Sequence, residues 1–396
     1  MFSLLLLAHL CSLDCRCPPR LHIHTHTHKQ PAKCGPVPER GYPKAYSMID
    51  ITNNWNTDNT EIPPFHYDTL CHFDYQNQTE LDYAYTYREK EVPFVVYNMP
   101  EVDDVVKKWN DLDYLHNKLG HRSYRTETSK DNHFMYWRGG GSNAVGRDGK
   151  KWKPPTGLVS LTFEDWMETA VKGQNKTLED RTHQYFRVSS DMGNEWLFDE
   201  LPFFQPHKNI FLVDPKEQRG IHCRFGMRSV IAEAHFDGSR NAVVMLGGLR
   251  RWILTHPNQC ENMHMLPNSH PSGRHSEVDW SKPDLERFPN FAKIVGNEVI
   301  LQPGDYLYVP TYWIHTIGTA CVFSSPRPSL VCLSRYRSPP LSPLSFHTLC
   351  PRPRPCPRPC PCPYPITPVS LNVNFQCNTR SGRSEGYNKA IHKCGF

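Results

Sequence analysis

The feature that most constrains this fold is a proline-rich tract at residues 321–368. The tract contains fourteen prolines in 48 residues and no Asp, Glu or Lys. Proline has no backbone N–H and a fixed φ, so neither a helix interior nor the middle of a sheet tolerates such a density. Regular structure is therefore expected before residue 320 and after residue 368.

The segments on either side of the tract have the pattern of strands. "YVPTYWIHTIGTA" (308–320) precedes the tract, and "VSLNVNFQCNTRSG" (369–382) resumes strand alternation directly after it. We interpret the tract as a retained intron between two halves of one strand, and a natural disordered insertion is the alternative. In the first interpretation, residues 370–375 pair where residues 321–326 otherwise would.

The tract also accounts for the basic character of the chain. The formal net charge is +5, and six arginines lie within residues 321–368. Without those six the charge is −1, so the rest of the chain has no basic excess to attract a nucleic-acid backbone. We therefore expect no nucleic-acid partner.

The cysteines are concentrated in the same unusual regions. Ten of the fifteen lie in residues 1–40 or in the tract, and five are scattered: Cys71, Cys223, Cys260, Cys377 and Cys394. This usage is typical of a reduced intracellular protein, although it is compatible with one or two disulfides. The apolar run "MFSLLLLAHL" is too short to cross a bilayer and lacks a clear signal-peptide pattern. We expect a soluble intracellular protein with no transmembrane helix, with the secretory pathway as the alternative; the oligomeric state is not predicted.

We divide the chain into five parts. They are an irregular N-terminal segment, interpreted as a signal peptide or as mis-annotated sequence (1–40), an N-terminal extension (41–91), a catalytic domain (92–319), the disordered insertion (320–368), and a final core strand with a C-terminal tail (369–396).

The catalytic domain is predicted to begin with helices and to continue as strands. "VPFVVYNM" (92–99) has the composition of a strand, and the next residues to Gly120 have helical spacing. "LTFEDWMETAVKG" (161–173) predicts a second helical region that Thr162 caps. Many short strands follow residue 208, which favours a mainly β sandwich or barrel with flanking helices.

The chemistry is predicted from "AEAHFDGSRN" (232–241). On a strand, His235 and Asp237 project to the same face and can reach one point. His315 follows at the end of another apolar strand and can supply a third ligand. Two histidines and one carboxylate are the ligand set of non-haem Fe(II) sites that activate O₂, and zinc is possible with the same ligands.

Three motifs in order then resemble the JmjC and cupin-like family of Fe(II)- and 2-oxoglutarate-dependent dioxygenases, with its small hydroxylase branch most similar. They are the H-x-D at 235–237, "GGLRRWIL" (247–254) and "PGDYLYVPTYWIH" (303–315). The resemblance covers residues 92–319 and 369–382. It implies a double-stranded β-helix (jelly-roll) core with flanking helices, and His235, Asp237 and His315 as iron ligands.

The resemblance also implies residues that hold the cosubstrate. Arg250 stands where the family usually has a lysine that binds the distal carboxylate of 2-oxoglutarate, and a guanidinium can bind a carboxylate through two parallel hydrogen bonds. Arg251 is the alternative anchor. Asn241, Asn374 and Tyr185 match polar positions of the family's cosubstrate pocket.

The family resemblance further implies oxidation of 2-oxoglutarate to succinate and CO₂ while O₂ hydroxylates a substrate C–H bond. A protein substrate is expected, and oxidative demethylation would use the same chemistry. The alternatives are a catalytically silent cupin-like scaffold and a zinc or manganese cupin isomerase or hydrolase. Residues 266–289 are interpreted as a loop over the site, with His270 and His275 exposed.

Overall fold

The computed structural model describes residues 34–396 except 121, 139–144, 146–148, 175, 192, 322–372 and 384–386. The predictions for residues 1–33 and for nearly all of the insertion lie outside the described residues. Within the described part of the chain, none of the helices is long and apolar enough to cross a membrane.

Seven α-helices are present in the described residues: α1 (Met48–Asn54), α2 (Gln78–Glu89), α3 (Pro100–Trp109), α4 (Leu112–Leu119), α5 (Phe163–Gly173), α6 (Leu197–Glu200) and α7 (Asn388–His392). The strands are β1 (Tyr46–Ser47), β2 (His72–Asp74), β3 (Phe94–Tyr97), β4 (Tyr124–Ser129), β5 (His133–Phe134), β6 (Thr156–Leu161), β7 (His183–Ser189), β8 (Gln218–Gly226), β9 (Ile231–Phe236), β10 (Arg240–Gly247), β11 (Leu249–Thr255), β12 (Val295–Leu301), β13 (Tyr306–Val309), β14 (Ile314–Ala320) and β15 (Asn374–Ser381).

Eight strands form a double-stranded β-helix, as the sequence predicts. One sheet contains the order β12-β11-β14-β9, and the other contains β13-β10-β15-β8. Strands that follow one another along the chain mostly alternate between the two sheets, so each sheet is completed only by residues distant in sequence. β7, β4 and β6 extend the second sheet beyond β8 and form one wall of the cavity described below.

The helices pack where their sequence patterns direct them. α3 buries Val102, Val105 and Trp109 and contacts β10. Thr162 caps the start of α5, because its hydroxyl accepts a hydrogen bond from the backbone N–H of Asp165. The predicted helical region before Gly120 is two helices, because Asp111 accepts two backbone N–H groups and starts α4.

β14 and β15 are two separate strands, and the interpretation of them as halves of one strand is wrong. β14 pairs with β9 and β11 in one sheet, whereas β15 pairs with β8 and β10 in the other. The first strand therefore ends at Ala320 for a structural reason, since a jelly roll must cross to the opposite sheet at this point.

The expectation of reduced thiols also differs from the structure. The described residues contain three disulfides, Cys34–Cys71, Cys223–Cys377 and Cys260–Cys394, and one free cysteine, Cys321. These cysteines lie 37, 154 and 134 residues apart, so their pairing could not be deduced from spacing.

Candidate metal centre and its cavity

The end of β9 lies beside the start of β14, and this brings the predicted ligands together. His235 on β9 and His315 on β14 are direct partners in the antiparallel ladder, and Asp237 directly follows β9. One ligand atom from each of the three side chains lies within 4.8 Å of the other two. The imidazole centroids of the two histidines are 4.5 Å apart.

Both histidines present the same nitrogen to the centre. The Nδ1 of His235 lies 2.7 Å from the carbonyl oxygen of Glu233, and the Nδ1 of His315 lies 2.9 Å from that of Trp313. A carbonyl oxygen can only accept a hydrogen bond, so each Nδ1 carries the hydrogen, and each Nε2 has a lone pair available to bind a metal. Burial lowers the pKa of both imidazoles, which keeps them neutral and able to bind a metal.

Asp237 is held as an anion. Its Oδ2 accepts a hydrogen bond from Asn241 at 2.9 Å and forms an ion pair with Arg380 at 3.1 Å, and Arg274 lies 3.3 Å from Oδ1. Burial opposes ionisation, but the positive charges of Arg380 and Arg274 outweigh it and lower the pKa of the carboxyl group. Two neutral imidazoles and one ionised carboxylate fit a divalent cation such as Fe(II).

The triad lies on the wall of a cavity of about 990 Å³ that is rich in arginine. We call its five exposed members the arginine rim: Arg122, Arg125, Arg138, Arg219 and Arg383. Four more are partly buried deeper in the cavity: Arg187, Arg224, Arg274 and Arg380. Among the described lining residues, only Asp191 and Asp237 are acidic.

The inner arginines differ in their partners. Arg187 pairs with the buried Glu127, and Arg274 and Arg380 face Asp237. Arg224 has no hydrogen bond or ion pair from its side chain to the described residues. Burial and the nearby Arg187 lower its pKa to about 9, so it remains cationic at neutral pH.

Three of the residues predicted to hold the cosubstrate form one hydrogen-bonded cluster. The Arg250 guanidinium donates to Asn374 Oδ1, to the Tyr185 hydroxyl at 2.9 Å and to the Arg224 carbonyl at 3.2 Å. Tyr185 lines the cavity, whereas Arg250 and Asn374 lie behind it. Their role in binding 2-oxoglutarate stays a prediction.

The other two predicted positions are separated from this cluster. Asn241 lines the cavity and orients Asp237. Arg251 points to the opposite face of β11, where it donates to buried Glu298 at 2.6 Å and to the Trp55 carbonyl at 2.7 Å. Arg251 is thus engaged elsewhere and does not line the cavity.

Part of the loop at 266–289 borders the cavity, but its histidines are not exposed as predicted. His275 is 2 % exposed, lines the cavity and stacks on His235 with ring centroids 5.1 Å apart. His270 is partly buried against Trp152. An isolated backbone bridge between His235 and His275 draws this part of the loop inward.

Two other contacts of the site were not predicted. Trp252 on β11 lies against His315, with ring centroids 5.1 Å apart, and its Nε1 has no hydrogen-bond partner in the described residues. Every second residue of one stretch of β15 lines the cavity, namely Gln376, Asn378 and Arg380. That alternation was visible in the sequence and could have identified Arg380.

Comparison with known proteins places this site in a family. A model of the cupin-like domain matches residues 81–336. The tRNA wybutosine-synthesizing protein 5 of Danio rerio is 34 % identical over 82 residues, which are 20 % of this chain and 23 % of that protein. Human HSPB1-associated protein 1 is 35 % identical over 193 residues, or 43 % and 39 % of the two chains. Lysine-specific demethylase 8 of Xenopus tropicalis is 31 % identical over 129 residues, or 31 % and 28 %.

The chain therefore spans less than half the length of each of these relatives. The family match is more extensive, since it includes the candidate metal centre and all but the last strand of the double-stranded β-helix. Because it covers well over half of the 396 residues, the chain belongs to the cupin-like (JmjC) domain family.

Proposed function

We propose that this protein is an Fe(II)- and 2-oxoglutarate-dependent oxygenase that hydroxylates, or oxidatively demethylates, a protein side chain. The observation that carries the proposal is the triad of His235, Asp237 and His315, with both imidazoles fixed to present Nε2. The lysine-specific demethylase among the relatives supports a protein substrate.

The three ligands would hold the iron, and neighbouring side chains keep the ligands in place. The carbonyls of Glu233 and Trp313 fix the imidazole orientations, and Asn241 fixes the carboxylate. When bound, iron with 2-oxoglutarate supplies the activation of O₂ and the oxidation of a C–H bond. The apolar side chains on the wall beside the triad, such as Trp252 and Ile317, exclude water from the reacting group.

Cations on and behind the cavity wall are available for the distal carboxylate of 2-oxoglutarate. Arg250, with Tyr185 and Asn374, stands at the family position for the distal carboxylate, and two of its five N–H groups are not used by the three hydrogen bonds described above. Tyr185 is the member of this group that reaches the cavity. Arg224 adds a cation on the wall itself and has no anionic partner among the described residues.

The test is succinate release in the presence of Fe(II), O₂ and 2-oxoglutarate, together with metal analysis. His235→Ala and Asp237→Ala are expected to lower both metal content and succinate release by more than about 100-fold, because each removes a direct ligand. His222→Ala is the matched control, since His222 lines the same cavity outside the triad and should retain metal. A thermal unfolding scan verifies that each variant folds.

The alternatives give different results. A protein that binds zinc or manganese and releases no succinate would support an isomerase or hydrolase. A protein that binds neither metal nor 2-oxoglutarate would support a scaffold. Either result would overturn the oxygenase proposal.

A further inference from the structure

We propose that the outer part of the cavity binds an extended, acidic segment of the substrate protein. This inference rests on the proposed function, because such a segment would carry the reacting side chain to the metal centre. It concerns the arginine rim and the neighbouring edge strand β6, neither of which contributes to the metal site.

The first observation is unpaired positive charge. Arg122 of the rim donates to the carbonyl of Gly193 and to Asn194. The other four rim arginines have no side-chain hydrogen bond or ion pair to the described residues, and Asp191 is the single acidic lining residue outside the triad among those described. Guanidinium groups bind carboxylates through paired hydrogen bonds, so this rim is suited to several acidic side chains.

This charge is insensitive to pH in the physiological range. Burial and nearby arginines lower the pKa of His222 to about 4, so this histidine beside the rim is neutral. The positive charge therefore belongs to arginines, which stay protonated. Acidic ligands would be attracted equally well across neutral pH.

The second observation is an open strand edge beside the rim. β6 is the last strand of its sheet and pairs only with β4 in the described part of the chain. Leu158 and Val159 on β6 are 46 % and 41 % exposed and line the cavity together with Ser160. Consecutive side chains on a strand point to opposite faces of the sheet. Because three consecutive residues of β6 line the cavity, the cavity runs along the edge of this strand. An extended peptide can pair with such an edge through its backbone.

These features favour a peptide over a nucleic acid. A nucleic acid makes phosphate contacts along a continuous basic surface. Outside residues 321–368 the chain has a net charge of −1, because the six arginines of that tract are removed from +5. Since nine arginines and only two acidic residues among those described line the cavity, the rest of the chain outside that tract has a net negative charge, which disfavours a polyanion that extends beyond the cavity.

The experiment measures binding by fluorescence anisotropy of labelled probes to the full chain, in the absence of turnover. The probes are a short peptide of alternating Glu and Ala, its Gln and Ala counterpart, and a single-stranded oligonucleotide of similar length. We expect the acidic peptide to bind at least about tenfold more tightly than the neutral one, with an affinity that falls as salt increases.

Charge reversal locates the site. Arg125→Glu combined with Arg383→Glu should weaken the acidic peptide by about tenfold, since two attractive pairs become repulsive. Arg40→Glu is the matched control, because Arg40 is exposed and lies outside the cavity. Equal binding of both peptides, tighter binding of the oligonucleotide, or equal losses in all variants would overturn the inference.

The readout separates this inference from the oxygenase proposal. Selective peptide binding without succinate release would leave the binding site standing and refute the oxygenase. Succinate release without charge-selective binding would leave the oxygenase standing and refute the acidic substrate.

Discussion

Two adjacent arginines on β11 show how one residue step changes the role of a side chain. Arg250 faces the inside of the double-stranded β-helix and contacts Tyr185 and Asn374. Arg251 faces outward and forms a buried ion pair with Glu298, whose side chain is 0 % exposed. Since successive strand residues point to opposite faces, the two arginines cannot replace each other.

This pair gives a matched prediction. Arg250→Met should raise the KM for 2-oxoglutarate by more than about tenfold, because the distal carboxylate loses its cation. Arg251→Met should instead lower the free energy of unfolding by about 3–5 kcal/mol, because Glu298 is left as an unpaired buried charge. Initial-rate kinetics and chemical denaturation of both variants measure the two effects. An unchanged KM in Arg250→Met would exclude this residue as the carboxylate anchor.

At the scale of elements, the crossing from β14 to β15 is shorter in space than in sequence. Ala320 pairs with Leu249, and Phe375 pairs with Gly247, so the two strand ends lie on either side of one turn. Gly248 in that turn has φ +70°, and a Cβ there would lie 2.4 Å from the Val373 carbonyl oxygen. Only glycine lets β15 begin this close to the turn.

This closeness of the two strand ends predicts that a short link between β14 and β15 is sufficient for folding. Replacing residues 322–372 with a Gly/Ser linker of about four to six residues should preserve the fold, because connections of this length are common between neighbouring elements. We expect the same far-UV circular dichroism per folded residue and a Tm within about 4 °C of the full chain. The control is a Gly/Ser linker as long as the segment it replaces. Loss of folding with both linkers would show that residues 322–372 contribute to stability.

Elements with a local pattern were predictable, and contacts between distant elements were not. The strand at His315 and the helix capped by Thr162 follow from short-range periodicity, and the jelly-roll class follows from their order together with the family motifs. The structure brings the three predicted ligands within 4.8 Å, as H-x-D spacing and strand geometry allow. The arginine rim has no such signal, because its members come from β4, β8 and three loops. The net charge of the chain also gave no sign of the arginine rim, because acidic residues elsewhere cancel the charge of its arginines.

At the scale of the whole molecule, the disulfide Cys223–Cys377 joins residues 154 positions apart. Both cysteines are fully buried, and they face each other on β8 and β15. β15 follows the long segment after residue 321, so this link attaches the last strand of the jelly roll to its first. Its effect on stability arises mainly from restricting the unfolded chain.

We therefore predict that the oxidised protein is stabilised by this link. Cys223→Ala combined with Cys377→Ala should lower the free energy of unfolding by about 2–4 kcal/mol. Reductant should destabilise the parent protein by at least this amount, because it also breaks the other two disulfides, and it should destabilise the double variant less. Mass spectrometry of unreduced peptides identifies the pairing directly. If the parent protein contains free thiols at both positions, the predicted stabilisation is absent.

The contact between Trp252 and His315 would make the proposed metal centre visible to fluorescence spectroscopy. An indole 5.1 Å from a ligand imidazole is near enough for a bound transition metal to quench its fluorescence. Adding Co(II) to the metal-free protein is expected to reduce tryptophan emission in proportion to site occupancy, and Trp252→Phe should remove that component of the change. If the tryptophan emission does not change when Co(II) is added, the metal binds away from His315. The aromatic side chain that packs the inside of the jelly roll would thus report metal loading without substrate, cosubstrate or turnover.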